Sequence, residues 1–159
     1  MATVKLSGLK GTRVSTVGDT DTALIDGSLT IGDDVTEDTI IVRGELKIEG
    51  QVVFKTRTIT ITESPYTVAS DDYLILVDSS TGEVDVNLPN ANVAGRTIIV
   101  KDSGNKAGTA DGKIRVYAVT GQAIDGQPNR ASNGNKGFIT LVSDGTQTWY
   151  WTSRAGFSG

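Results

Sequence analysis

Two short apolar runs flank a polar turn in residues 73–88, which read Tyr73-Leu74-Ile75-Leu76-Val77-Asp78-Ser79-Ser80-Thr81-Gly82-Glu83-Val84-Asp85-Val86-Asn87-Leu88. Val84, Val86 and Leu88 share one face of the second run, because successive strand residues point to opposite sides. Asp85 and Asn87 lie on the other face. The turn ends in glycine and predicts a hairpin between two neighbouring strands. This pattern predicts an antiparallel sheet with one buried and one solvated face.

The same pattern recurs through residues 64–159. The predicted strands are Tyr66–Ser70, Tyr73–Val77, Val84–Leu88, Arg96–Lys101, Lys113–Val119, Gly137–Ser143 and Thr146–Thr152. The dipeptide Asp144-Gly145 predicts a hairpin turn between the last two. Of the nine aromatic residues, only Phe54 precedes Pro65, so a compact aromatic core belongs to the second part. The sequence therefore predicts an all-β chain whose residues 64–159 form an antiparallel, jelly-roll-like β-sandwich.

A 17-residue repeat organises the N-terminal part, where residues 21–31 align with residues 38–48. Each copy consists of a strand, a glycine turn and a second strand, which is typical of an extended prism-like or helix-like β-repeat. The competing interpretation is a hairpin preference that recurs by chance, since Thr, Ile and Gly are common here. A polar stretch closed by a proline places the domain boundary at 63/64.

Two such repeats cannot bury their own apolar faces, because stacked repeats need about three or more neighbours. The missing neighbours must come from other chains or from the following domain. Winding of three copies around a common axis would bury these faces and cover the strand edges. Residues 1–63 are therefore predicted to attach and trimerise the protein. The side chains expected to be buried across chains are Leu29, Ile31, Leu46, Ile48, Ile59 and Ile61.

The chain contains neither cysteine nor histidine, and its net charge is −4. These absences exclude disulfides, thiolate metal sites and His-based catalytic triads. Neither part has the basic face expected of a nucleic-acid binder. No apolar run is long enough for a membrane helix, and residues 1–7 lack the apolar core of a signal peptide. We therefore expect synthesis in a cytoplasm, with no cofactor, no nucleic-acid partner and no membrane insertion.

The second part resembles the small β-sandwich modules of bacteriophage tail fibres and tailspikes. The segments that carry the resemblance are 73–78, 84–91, 95–105, 121–126, 139–145 and the terminal 149–151. Residues 28–48 are similar to connecting segments of phage fibre proteins. The resemblance implies a homotrimeric protein attached to the virion. The large catalytic β-helix of a polysaccharide-cleaving tailspike is absent, so depolymerase activity does not carry over.

A long polar loop, Gln122–Asn135, is the first candidate site, either as a binding loop or as a contact with a neighbouring chain. The competing interpretation is a solvated excursion without a partner. The candidate receptor- or partner-binding residues are Asp125, Gln127, Asn129, Arg130, Asn133 and Asn135. Trp149 and Trp151 share one strand face and could stack on a sugar ring of a host-surface glycan. Filling the sandwich core is the favoured interpretation for both tryptophans.

Clusters of carboxylates are weaker candidates. Residues 33–38 contain four acidic side chains, but they lack the spacing of a calcium loop and favour a polar turn. Asp102 with Asp111 is a similarly weak candidate. Glu83 and Asp85 lie two apart on the solvated face of one strand, without the cleft that a glycosidase needs. No catalytic residue and no metal ligand is therefore predicted.

Together these patterns predict a non-enzymatic virion protein of a phage, assembled in the host cytoplasm. The leading hypothesis is a homotrimeric short fibre, on the tail or on the capsid, that displays the sandwich for host-surface binding. Its N-terminal region would bind other tail or capsid proteins. One alternative is a capsid decoration (cement) protein that stabilises the head. A further alternative is a monomeric carbohydrate-binding module.

Overall fold

The computed structural model describes residues 45–48 and 50–158. The chain divides into two compact units, Met1–Leu46 and Lys47–Gly159. Most of the 17-residue repeat, including Leu29 and Ile31, lies outside the described residues. Residues 45–48, which end the second copy of the repeat, have no regular secondary structure and are exposed. The prediction of an extended β-repeat therefore stays a prediction.

Short strands and turns build the second unit. The strands are β1 Thr56–Thr60, β2 Tyr66–Thr67, β3 Leu74–Asp78, β4 Val84–Asn87, β5 Thr97–Asp102, β6 Ile114–Tyr117, β7 Ala123–Ile124, β8 Asn129–Ala131, β9 Phe138–Ser143 and β10 Thr148–Ala155. Two 3-10 turns, Ile61–Glu63 and Ala110–Gly112, lie between strands. No helix in the part of the chain that the structure describes is long and apolar enough to span a membrane. The all-β prediction is confirmed for the described residues.

The strands form two sheets, one with the order β1-β3-β5-β9-β10-β7 and the other with the order β2-β4-β6-β8. From β1 to β6 the chain alternates between the sheets, and neighbouring strands within each sheet run parallel. Register partners stack in line, as in Thr56, Leu74 and Ile99. This part of the chain is thus wound as a short β-solenoid. The prediction of two sheets around one core is confirmed, but the predicted antiparallel, jelly-roll-like pairing is wrong for this part.

The turn after β3 explains this difference. Asp78 accepts a hydrogen bond from the Ser80 backbone N–H at 2.9 Å, and Gly82 N–H donates to the Ser79 carbonyl at 3.3 Å. These bonds close a tight turn, but the turn carries the chain to the other sheet rather than back along β3. Turn residues define a local reversal, and they do not specify whether the next strand pairs with the previous one.

After β6 the parallel winding stops, and most of the remaining strands pair in antiparallel fashion. β9 runs antiparallel to β5, and β10 follows it through the predicted hairpin at Asp144-Gly145. β8 runs antiparallel to β6 at the edge of the smaller sheet, and β7 runs parallel to β10 at the edge of the larger one. The short strands β7 and β8 lie within the predicted polar loop, which brings that loop against β10.

Both sheets contribute to one core. The core side chains include Ile75, Val77, Ile98 and Val100 from the larger sheet and Val84, Val86, Ile114 and Val116 from the smaller one. Asp85 and Asn87 remain partly exposed between their buried neighbours. The alternation predicted for β4 and β6 is therefore confirmed, because burial on one face constrains every second residue.

The N-terminal boundary of this unit differs from the predicted 63/64. β1 pairs with β3, and Ile59 on β1 is fully buried in the common core. Ile59 is therefore not free to be buried against another chain. Ile61 is not on the same strand face, because a capping box between Thr60 and Glu63 begins a 3-10 turn at that point. The Thr-x-x-Glu spacing is visible in the sequence and is the signal that could have identified this turn.

Asp102 is a buried carboxylate at an inward position of β5, in register with Val77. Its Oδ1 accepts from the Asn105 backbone N–H at 2.9 Å. Its Oδ2 accepts from the backbone N–H groups of Lys136 at 2.7 Å and Ala107 at 3.3 Å. The side chain therefore joins two loops at one end of the solenoid. Full hydrogen bonding is what makes a buried carboxylate tolerable.

We expect Asp102→Asn to lower the free energy of unfolding by about 2–3 kcal/mol, because an amide nitrogen would face a backbone N–H in a buried site. Urea unfolding followed by circular dichroism measures this loss. Asp144→Asn is the matched control, since Asp144 also accepts from three backbone N–H groups but on an exposed hairpin. Equal losses in the two variants would show that burial of Asp102 does not matter.

Candidate ligand-binding cleft

A two-residue turn after β7 forms one wall of the candidate site. Ile124 and Gln127 exchange backbone hydrogen bonds of 2.7 and 3.1 Å. Between them, Asp125 and Gly126 have φ angles of 44° and 77°. Asp-Gly is a favoured dipeptide for a turn in which both central residues adopt positive φ. The turn was missed within the predicted polar loop, although this dipeptide was a readable signal.

Asp125 fastens this turn to β10. Its backbone N–H donates to the Trp149 carbonyl at 3.0 Å, and its Oδ2 accepts from the Trp151 backbone N–H at 2.9 Å. Its Oδ1 accepts no hydrogen bond from the described residues. The turn is thus held rigidly beside the strand that carries both tryptophans, with one carboxylate oxygen left over.

Arg130 projects from an inward position of β8 and is only 6% exposed. Its Nε and Nη2 donate to the Ile124 carbonyl at 3.2 and 2.9 Å, and Nη2 also donates to the Asp125 carbonyl at 2.9 Å. The guanidinium carbon lies 4.1 Å from the centre of the Trp151 ring. Two backbone carbonyls and one aromatic ring therefore fix this side chain.

The two tryptophans have different environments. Trp149 is fully buried, and its Nε1 donates to the Pro89 carbonyl at 3.3 Å. It lies in the core and cannot stack on a sugar. Trp151 is partly buried and also contacts Arg154, whose guanidinium carbon is 4.1 Å from the ring centre. Two guanidinium groups thus cover part of the indole that the sequence proposed for glycan stacking.

These groups line a cleft of about 520 Å³. Its lining residues are Asp125, Gln127, Asn129, Arg130, Trp151 and Ser158. The cleft therefore combines four of the six predicted loop residues with one of the two predicted aromatic residues. Ser158 was not predicted, because it reaches the cleft only through pairing of the C-terminal segment with β8, where its N–H donates to the Ala131 carbonyl at 2.9 Å.

The other two predicted loop residues are elsewhere. The Asn133 backbone N–H donates to the Gly156 carbonyl at 2.8 Å, and Asn135 Oδ1 accepts from the Gly108 N–H at 2.8 Å. Both bonds join loops within the unit. Asn133 and Asn135 therefore have structural roles in this arrangement and do not line the cleft.

Two guanidinium groups, Arg130 in the lining of the cleft and Arg154 on the Trp151 ring, lie near one carboxylate, Asp125. Burial lowers the pKa of Arg130, and the nearby positive charge of Arg154 acts in the same direction, whereas the carboxylate of Asp125 opposes both. Among the described residues, no carboxylate lies within ion-pair distance of Arg130 or Arg154. Both guanidinium groups instead donate to backbone carbonyls, Arg154 to the Phe157 carbonyl at 2.6 Å.

The carboxylates weighed in the sequence lie away from the cleft. Glu83 accepts two hydrogen bonds from Arg115, at 2.5 and 2.8 Å, and Asp85 lies 3.9 Å from the same guanidinium. This arrangement is an ion pair on the outer face of the smaller sheet. The described part of the chain contains no group of three or more acidic, cysteine or histidine side chains that could hold a metal ion. The acidic run 33–38 lies outside the described residues.

No protein-family model matches the chain, and no curated protein matches it in sequence. The resemblance to phage fibre modules therefore stays a hypothesis.

Proposed function

We propose that the chain is a non-enzymatic structural protein of a phage virion, a homotrimeric short fibre or appendage. In this proposal the N-terminal region binds three copies together and attaches them to other virion proteins. The second unit, Lys47–Gly159, is displayed outward for contact with the host surface. The observation that carries the proposal is an exposed apolar segment immediately before β1.

This segment, residues 47–55, is termed the entry segment. Its large apolar side chains are Ile48, Val52, Val53 and Phe54, which are 52%, 50%, 87% and 53% exposed. Residues 51–55 belong to no strand, although Phe54 stacks on Tyr73 with ring centres 4.2 Å apart. Exposure of several neighbouring apolar side chains is unfavourable and marks interaction surfaces.

Other copies of the same chain are the proposed partners of the entry segment. Ile48 belongs to the second copy of the 17-residue repeat, so the exposed apolar pattern continues the one that the repeat predicts to pack across chains. Leu46 is also exposed, at 64%. Packing three entry segments around one axis would bury these side chains without a second kind of protein. Ile59 has no part in this packing because it is buried in the core of the unit, whereas Ile61 is 41% exposed.

Trimerisation would also strengthen binding through the cleft. Three copies of a weak site on one particle bind a repetitive surface with avidity, because the second and third contacts are effectively intramolecular. The cleft supports one further candidate function, a monomeric carbohydrate-binding module. That candidate requires no burial of the entry segment, so the state of assembly separates the two. A decoration protein would share the trimer and differ in its position on the particle.

Quantitative mass spectrometry of purified phage particles tests the proposal. The particles are those of the phage whose genome encodes this sequence. We expect the chain to co-purify with the particles in a copy number that is a multiple of three. Fibres would be present in few copies, whereas a decoration protein would approach the copy number of the major capsid protein. Recovery of the chain only in the soluble lysate would contradict a virion role.

A further inference from the structure

We infer that the cleft beside Trp151 binds a carboxylated saccharide, with the ligand's carboxylate against the guanidinium of Arg130. This inference deepens the host-surface part of the proposed function and rests on it. It starts from an arginine that is buried, positively charged and without an acidic partner among the described residues.

A buried charge is unfavourable unless it is paired and fully hydrogen-bonded. Arg130 uses Nε and Nη2 for the carbonyls of Ile124 and Asp125. Its Nη1 donates to none of the described residues, although a guanidinium carries five N–H donors. This nitrogen belongs to a side chain that lines the cleft. An anion entering the cleft would therefore complete the hydrogen bonding of Arg130 and neutralise its charge.

The local charge balance favours an acidic group over a neutral one. Two guanidinium groups, Arg130 and Arg154, lie against one indole ring, whereas Asp125 is the single carboxylate among the described residues that line the cleft. A guanidinium hydrogen-bonds more strongly to an anionic carboxylate or phosphate than to a neutral acceptor, and the Nη1 of Arg130 offers two N–H donors to such a group. Backbone carbonyls hold Arg130 in place before the ligand arrives, which limits the ordering that binding requires.

The rest of the lining favours a sugar over a small inorganic anion. Gln127 and Asn129 carry amides that can donate and accept, and Ser158 adds a hydroxyl. Asp125 Oδ1, which accepts no hydrogen bond from the described residues, is an acceptor suited to a sugar hydroxyl. The cleft volume, about 520 Å³, lies within the range of small-molecule sites and exceeds what one inorganic anion fills.

Titration of the 159-residue chain with methyl β-glucuronoside and methyl β-glucoside tests the inference, with NMR chemical shifts as the readout. The two probes differ in one carboxylate. We expect the glucuronoside to bind about tenfold more tightly or better, and its affinity to fall as salt is added. Equal affinities, or no binding of either probe, would overturn the inference. If inorganic phosphate binds equally well and displaces the glucuronoside, the saccharide part is wrong.

Two variants locate the binding. Arg130→Gln should abolish the preference for the glucuronoside. If that buried substitution prevents folding, Arg154→Gln changes an exposed residue that stacks on Trp151, and it should weaken glucuronoside binding by about three- to tenfold and by more than it weakens glucoside binding. Lys113→Gln removes the same charge from a residue that neither lines the cleft nor stacks on Trp151, and it should change neither affinity. An Arg154→Gln variant that binds the glucuronoside like the unmodified chain would contradict the assignment.

Light scattering on the same samples separates this inference from the proposed function. A trimer that binds neither probe overturns the ligand assignment and leaves the trimeric appendage standing. A monomer that prefers the glucuronoside keeps the ligand assignment and overturns the appendage. In that case the carbohydrate-binding module becomes the function that the cleft supports.

Discussion

Val53→Asp should convert the assembled protein into monomers. Val53 is the most exposed of the large apolar side chains in the entry segment, at 87%, so its replacement removes little packing within the described unit. In a trimer, three buried carboxylates near one axis would be desolvated and would repel one another. We expect sedimentation velocity to show a single species near 16.7 kDa with an unchanged circular dichroism spectrum.

Gln51→Asp is the matched control for this change. Gln51 is an exposed polar residue of the same segment, and its replacement adds the same charge without removing an apolar side chain. We expect this variant to keep the assembled mass. If Val53→Asp also stays assembled, the entry segment does not lie at the interface. Dissociation of both variants would point to net charge rather than apolar burial as the cause.

Trp149→Ala should lower the free energy of unfolding by about 3–5 kcal/mol, as large-to-small substitutions of buried aromatic residues do. Trp149 has the largest volume of the fully buried side chains among the described residues. Its removal leaves a cavity between the sheets and frees the Pro89 carbonyl from its hydrogen bond. A loss of this size is a large fraction of the stability of an ordinary domain. Urea unfolding gives the free-energy difference directly.

Tyr150→Ala is the control for the tryptophan. Tyr150 is adjacent on β10, points to the other face and is 50% exposed. We expect a change within about 0.5 kcal/mol, which is usual for a surface position. A small loss in Trp149→Ala, or a loss of equal size in Tyr150→Ala, would contradict the placement of Trp149 in the core.

The faces of the strands were predictable from the sequence, but their partners were not. Alternation of Val84 and Val86 with Asp85 identifies the buried side, because burial acts on each residue locally. It does not identify the neighbouring strand, and the turn after β3 is compatible with either a hairpin or a passage to the second sheet. The parallel pairing of β3 with β5 depends on contacts 25 residues apart, as between Leu74 and Ile99.

The candidate site was partly predictable. Polar composition drew attention to residues 122–135, and Asp125, Gln127, Asn129 and Arg130 of that stretch line the cleft. The prediction of one long loop is wrong for this stretch, because it contains the short strands β7 and β8. The stacking of Arg130 on Trp151 joins residues from two sheets, and no local pattern encodes such a contact.

The molar mass of the 159-residue chain, measured by light scattering in neutral buffer, tests the central claim most directly. Burial of the entry segment between three copies predicts a mass of three times 16.7 kDa that persists on dilution into the low micromolar range. A well-folded species of 16.7 kDa would leave Ile48, Val52 and Val53 exposed in solution. That result would contradict a trimeric appendage.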